Sequence, residues 1–541
     1  MQGKKDYQEK LFMSFRLSDH VPLTNFYRRL KSVLDLHFLY ELTSPYYGKS
    51  GQKSIDPVVF FKLSLVGYLE NIVSDRDLIR RSAMRMDILY FLGYNIDDSL
   101  PCHSTISRTR ALYGDSVFEQ VFSRILQMCV AMGMVSGHTQ VSDSAPVKAN
   151  ASMGSLELKI PAHDLACHLD LVIGENDMGE RQVVIGPQDS EAFCVGSDDD
   201  SDVINPGPGQ ESNTKGKSSD KIKVSNKTHY SPNDPDARMS YKPGKATRLN
   251  YNANICTDTA HHIITDAKAY HADKKDGQNL KDIVDRTQNR LDSLGLLWKD
   301  FFADGNYGSG ENYAFLESRG LNGFIPPNRT AYKGSHKNFI YVEEKDHWIC
   351  PKGKIIPFVK ITKKANSKQR LYRGSTKLCQ GCPVKVSCMG KARQKCIRIS
   401  YYRAEYERVI ARIKNTGVSK VKAIRQSTVE PVLGTLKEQM GLRQINSIGI
   451  EKANKCIQMA ATAYNLKKYL NFIGKTPISM AGVVNHQAKK GLESAFLALK
   501  WSLWGQISCF RPKYEAIMLE IRQFHDAGFW VDKRKNQKNF C

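Results

Sequence analysis

The sequence predicts an α/β chain: a mixed sheet flanked by helices, preceded by an all-α region and interrupted by a small cysteine-rich insertion. Three observations carry that prediction. Residues 20 to 135 keep helical spacing throughout, with capping pairs such as Asp56-Pro57 and Ser74-Asp75 at helix starts. Two alternating segments, Arg248 to Thr257 and His262 to Tyr270, read as strands and lead into a helix from about Gly277 to Leu294. Residues 331 to 400 hold Cys350, Cys379, Cys382, Cys388 and Cys396 of the 13 cysteines. The boundaries drawn from composition are a helical region at 1–135, a first core strand at 136–155, an insertion and linker at 156–245, and core at 246–330. The cysteine-rich insertion at 331–400, further core helices at 401–475 and a basic helical tail at 476–541 complete the chain.

In the amino-terminal region, Val58 to Leu69 is an apolar helix, and the next separates Arg80, Arg81 and Arg85 from Leu78, Ile79, Met84 and Ile88. His103 to Arg110 then forms a short polar helix. Its Ser104, Thr105, Ser107, Arg108 and Arg110 are side chains that can reach base edges and phosphates from a groove. The plain alternative is a surface helix of an all-α bundle. A net charge of +24 points to a polyanionic partner, because clustered Lys and Arg release counterions from phosphate backbones.

Three carboxylates stand at element ends. Asp143 closes a short β-prone run, Thr139 to Ser144, and Asp304 lies where the apolar run Phe301-Phe302-Ala303 meets a Gly/Asn turn. Glu430 falls in a helix expected to start at Ser427 or Thr428, with Pro431 in its first turn and Val429, Leu433 and Leu436 as its apolar stripe. Near a helix start, the dipole favours a carboxylate. A solvated Glu430 and Lys437 on a surface helix is the plain reading of that stretch alone. The order is strand with Asp143, strand, strand, helix, strand with Asp304, then a helix with Glu430. It is the order of an RNase H-like core. Carboxylates converging from two strands and a helix can hold two Mg²⁺ ions and orient an in-line attack on phosphorus.

On Asp143, on Asp304-Gly305-Asn306-Tyr307, and on Glu430 followed after six residues by Lys437, the chain resembles the DDE transposases of bacterial insertion sequences. The resemblance covers most of residues 20 to 475. It departs from relatives with a Tyr-x-x-Arg-x-x-x-Glu signature, since Ala423 and Gln426 stand where their Tyr and Arg would be. Arg425 lies one position further from Glu430. The resemblance implies binding to terminal inverted repeats through the helical region, strand hydrolysis, and attack of the freed 3′-hydroxyls on target DNA. It implies Mg²⁺ at Asp143, Asp304 and Glu430, with Mn²⁺ able to substitute, and phosphate contacts from Lys437 and Arg425. Arg238 and Lys242 become DNA-backbone contacts, or plain loop residues, and two-ended chemistry implies at least a homodimer. One rival reading is an RNase H-like nuclease without strand transfer. The other is an inactive zinc-containing DNA-binding regulator, which the retained carboxylates argue against.

Cys350, Cys379, Cys382 and Cys388 can make a closed tetrahedral Zn²⁺ site, with Cys396 as a spare. The alternative is reduced structural or redox thiols, and a strand over Val384-Lys385-Val386 counts against a redox dithiol, which wants a helix there. Leu169 to Ile185 reads as a β-hairpin beside His163, Cys167 and His168, and Gly186 to Lys227 as a linker. Ala453 to Phe472 is a helix with Met459, Ala463, Leu466 and Leu470 on one face. Trp501 and Trp504 in the tail are expected in core or dimer contacts. The odd, scattered cysteines and a start without an apolar segment lead us to expect a reduced bacterial cytoplasm near the nucleoid.

Overall fold

The computed structural model describes residues 15–48, 50, 54–159, 224–241, 244, 246–327, 338–364, 367–390 and 392–475. The hairpin expected at 169–185, the His163, Cys167 and His168 group, the linker, Lys242, and the tail with Trp501 and Trp504 lie outside the described residues. The chain divides into two compact units, residues 1–469 and 470–541.

The amino-terminal region is helical among its described residues: α1 (Leu17–His20), α2 (Phe26–Val33), α3 (Phe38–Thr43), α4 (Pro57–Leu69), α5 (Asp75–Ala83), α6 (Met86–Leu92), α7 (His103–Leu112) and α8 (Asp115–Ala131). Asp56 accepts from the backbone N–H groups of Val58 and Val59, and Ser74 from that of Asp77, so both predicted starts are capped. α4 carries no polar face. Phe60, Phe61, Leu63, Leu65 and Val66 are all fully buried, which makes it the bundle's centre. Tyr113 stacks on Phe61, with Phe60 and Phe118 edge-on around the pair.

The main sheet is mixed. Its strands are β1 (Thr139–Lys148), β4 (Arg238–Ser240), β5 (Arg248–Asp258), β6 (Ile264–His271), β7 (Asp300–Ala303) and β8 (Asn322–Phe324). The order is β6-β5-β1-β7-β8, with β4 continuing the outer edge of β5 beside β6. β6, β5 and β1 run antiparallel to their neighbours, whereas β1, β7 and β8 run parallel. A ribbon of β2 (Glu157–Leu158) and β3 (His229–Tyr230) lies apart from it. The first strand does not end near Asp143 as expected. It continues to Lys148 because β5 keeps pairing with it, and Pro146 is tolerated because β7 has already stopped.

Helices α9 (Asp276–Ser293), α10 (Gly310–Ser318), α12 (Arg403–Thr416), α13 (Val418–Gln439) and α14 (Ile450–Lys475) complete the unit, with a short α11 (Lys385–Met389) inside the insertion. α14 was expected to bury one face. Instead every residue from Ala453 to Leu466 is buried. The reason is that it lies between the sheet and the amino-terminal helices. Asn465 bonds both backbone groups of Ile264 and Asn454 accepts from the Ala269 N–H, so the exposed edge of β6 is satisfied by side chains. Asn454 also donates to Asp115 of α8.

The insertion is a second, antiparallel sheet, β13-β12-β11-β10-β9, built from β9 (Ile340–Val342), β10 (His347–Ile349), β11 (Ile355–Lys364), β12 (Ser367–Arg373) and β13 (Cys396–Ser400). Its core is small: Trp348, Ile356, Tyr372 and Ile397.

Candidate active site

Strand register brings the first two carboxylates together. β1 pairs with β7 from Thr139 opposite Asp300 to Ser142 opposite Ala303. The next position on each strand is Asp143 and Asp304, so parallel pairing sets the two side by side on one face. Each is steadied by the residue after it: Ser144 N–H donates to Asp143 Oδ1 at 2.8 Å, and Gly305 N–H to Asp304 Oδ1 at 2.8 Å. The second bond also opens the 3₁₀ turn Gly305–Tyr307 that ends β7.

α13 supplies the third. It packs across β1, β5 and β7, with Val429, Val432 and Leu436 fully buried. Its start differs from the expectation. The helix begins at Val418, directly after Gly417 in a positive-φ conformation, and Pro431 lies inside it. Ser427 and Thr428 are not caps: Ser427 Oγ bonds back to the Ile424 carbonyl and Thr428 is buried. Glu430 is therefore held mid-helix by side-chain packing, and a first-turn dipole has no part in placing it.

All three carboxylates converge on one guanidinium. Arg425 Nη1 stands 3.4 Å from Asp143 Oδ2 and 3.7 Å from Asp304 Oδ1, and its Nη2 stands 3.2 Å from Glu430 Oε1. Asp143 is the inner member, 18 % exposed against 42 % and 41 % for the other two. Burial pushes its pKa up to about 6, against the pull of the Ser144 N–H and Arg425, and Asp304 and Asp276 push it in the same direction as burial. Lys437 stands two turns beyond Glu430 on α13, half-buried.

On the opposite face of β1 a polar network backs the site. Ser142 donates to Asn254, whose amide donates to the buried Tyr307 hydroxyl at 2.7 Å, while Ser144 and Asn252 both donate to Asp276. Burial, with Asp276 and Asp143 nearby, holds the Tyr307 hydroxyl protonated. The sequence reading missed Asp276, Asn252, Asn254 and Tyr307 as supports. The signal was there: Asn250, Asn252 and Asn254 recur at period two on one face of β5.

Among the described residues, no three His, Cys, Asp or Glu side chains gather at the spacing of a metal ion. At the carboxylates, the shared position is taken by Arg425. The donor set still suits a hard divalent cation in its chemistry, since all three groups around Arg425 are carboxylates.

Cys350, Cys379, Cys382 and Cys388 all line one cavity of about 40 Å³ in the insertion, and all are free thiols. They share the cavity without closing on a point. The strand expected over Val384-Lys385-Val386 is instead the start of α11, because Lys385 N–H bonds Cys382 O and Cys388 N–H bonds Val384 O. With a helix start there, the local backbone does not disfavour a redox dithiol.

In α7, Arg108 is exposed and donates to Ser104 Oγ at 3.3 Å; Ser107 is exposed, and Ser104 and Thr105 are half-exposed. Arg110 faces inward and makes a two-pronged bond to Asp75 of α5 at 2.8 and 3.0 Å. Arg238, in β4, donates to the carbonyls of Pro235 and Ala237 and lies 3.8 Å from Asp273.

Comparison with known proteins follows this geometry. Residues 15–112 match the family model described as a transposase domain (DUF772), and residues 349–470 match the transposase DDE domain. The second match spans most of the insertion and the Glu430 helix, with Asp143 and Asp304 upstream of it. Among solved structures, the chain is similar to a piggyBac transposase synaptic complex with hairpin DNA, at 10 % identity and a TM-score of 0.28, covering 88 % of this chain and 79 % of that one. No curated protein matches the sequence.

Proposed function

We propose that this chain, a DDE transposase of an insertion-sequence family, binds the terminal inverted repeats of its element and cleaves and joins DNA strands at them. One observation carries the chemistry: carboxylates from β1, the end of β7 and α13 meet at a single guanidinium. The strand order β6-β5-β1-β7-β8, antiparallel then parallel, supports an RNase H-like reading of the core. Asp143, Asp304 and Glu430 would hold two Mg²⁺ ions, or Mn²⁺ in their place. The chemistry supplied by ions held there would be activation of water or a 3′-hydroxyl and stabilisation of the leaving oxygen. The chain's own residues bind and orient. Asp143 is ionised above about pH 6, the Ser144 and Gly305 N–H groups fix two carboxylates, and Lys437 and Arg425 hold phosphates.

In the amino-terminal region, Ser104, Thr105, Ser107 and Arg108 are the groups that would read base edges, while Arg110 stays with Asp75 and keeps α7 on α5. Arg238 and Lys242 would meet the DNA backbone. A structural Zn²⁺ among Cys350, Cys379, Cys382 and Cys388 is supported by their shared cavity and by a donor set of four thiols. Work on two ends calls for at least a dimer.

The test is cleavage and strand transfer on the element's own ends with Mg²⁺. Cut and joined products are expected. Cutting without joining would favour the nuclease reading, and specific binding with neither product would favour the inactive regulator.

A further inference from the structure

We infer that Arg425 is an exchangeable cation, which competes with divalent ions for the carboxylates and leaves them for a DNA phosphate. This rests on the carboxylate reading above. Its guanidinium lies within 3.2–3.7 Å of an oxygen from each of Asp143, Asp304 and Glu430 and donates a hydrogen bond to Asp143, so one positive charge stands among all three and offsets part of theirs. A divalent ion drawn to the same point meets both the repulsion of that charge and its occupied space. Arg425 reaches the site from α13 with its own side chain 21 % exposed, and Asp304 and Glu430 are half-open to solvent. The guanidinium therefore has an outward path.

A phosphate offers it a replacement. Arginine's planar fork binds phosphate oxygens as well as it binds carboxylates, through paired charged hydrogen bonds. When DNA takes the guanidinium, the carboxylates lose their cation and their demand for divalent ions rises. By linkage, metal must then tighten DNA end binding by the same factor. The chain thus admits its ions when a DNA phosphate has arrived.

The test measures Mn²⁺ binding to the full chain by electron paramagnetic resonance, with and without a duplex of the element end. Arg425→Gln keeps hydrogen-bonding capacity and removes the charge. Without DNA it should bind Mn²⁺ at least about tenfold more tightly than the native chain, and Arg425→Lys should stay near native affinity. Adding DNA should tighten Mn²⁺ binding to the native chain and much less to Arg425→Gln. Native-strength binding by Arg425→Gln overturns the inference, and so does a native chain whose Mn²⁺ affinity ignores DNA; the second arm needs no variant to fold. Asp304→Ala separates the two readings. If it binds Mn²⁺ as the native chain does, the carboxylate site itself is wrong and the inference goes with it. If it loses Mn²⁺ while Arg425→Gln gains nothing, only the exchange is wrong.

Discussion

The main sheet and α13 bring residues 143, 304 and 430 against one side chain, whereas the insertion leaves the thiols of residues 350, 379, 382 and 388 around a cavity that they do not close. The difference lies in what positions each group. Asp143 and Asp304 are adjacent because the parallel register sets them so, and a one-residue slip of β7 would send Asp304 to the face opposite Asp143. The cysteines instead sit on turns and a five-residue helix around a core of four buried side chains. Backbone pairing can preorganise a site before any ion arrives. Turns on a small core leave the final geometry to whatever binds.

The largest effect is expected at the carboxylates that strand register and α13 position. Asp304→Ala, Asp143→Ala or Glu430→Ala should lower strand cleavage by about a thousandfold or more, roughly 4 kcal/mol of transition-state stabilisation. Binding to element ends, read by gel shift, should persist. Cleavage by folded Asp304→Ala protein would remove the carboxylates from the chemistry.

Asp143 offers a second test, through pH. Its pKa is raised from the usual carboxylate range to about 6. The folded chain thus holds that proton more tightly than the unfolded chain, and ionisation costs stability above about pH 6 but not below about pH 4. Cleavage should fall as pH drops through about 6. In urea unfolding, Asp143→Asn should be more stable than the native chain at pH 8, by about 1–3 kcal/mol, with the gain gone near pH 4. A gain at both pH values would mean that packing, and not charge, is responsible.

Lys437→Ala should cost cleavage less, about ten- to a hundredfold, since it removes one phosphate contact and no carboxylate. The smallest effect on chemistry is expected in the insertion. Elemental analysis of chain purified without added metal should give about one zinc. Cys382→Ser should release it and lower the insertion's melting transition, with only a few-fold loss of cleavage through its connection to α13. Zinc-free chain with an unchanged melt would leave the thiols as reduced cavity lining.

Much of the main sheet was legible. Alternation marked β5 and β6, the Gly/Asn turn marked the end of β7, and Gly417 marked the end of α12. The start of α13 was not, because Ser427-Thr428 ahead of Pro431 imitates a cap while the helix starts nine residues earlier, directly after the positive-φ Gly417. The insertion's thiols could be listed but not arranged, since spacing along the chain says little when turns decide the geometry. Nor could the sequence show that Arg425, displaced from the signature position, still reaches all three carboxylates. Five residues along a helix is a long separation for two side chains, and it takes the fold to bring Arg425 and Glu430 together.

Pro431 follows Glu430 directly and has no N–H to give the carbonyl of Ser427. Bending α13 there breaks one hydrogen bond fewer than bending it elsewhere, a saving of about 1 kcal/mol. Arg425 lies on the amino-terminal side of that gap and Lys437 on the carboxy-terminal side, where Leu436 is packed into the core. A helix is easiest to bend where a proline already omits one backbone bond, and Glu430 stands beside that point of α13.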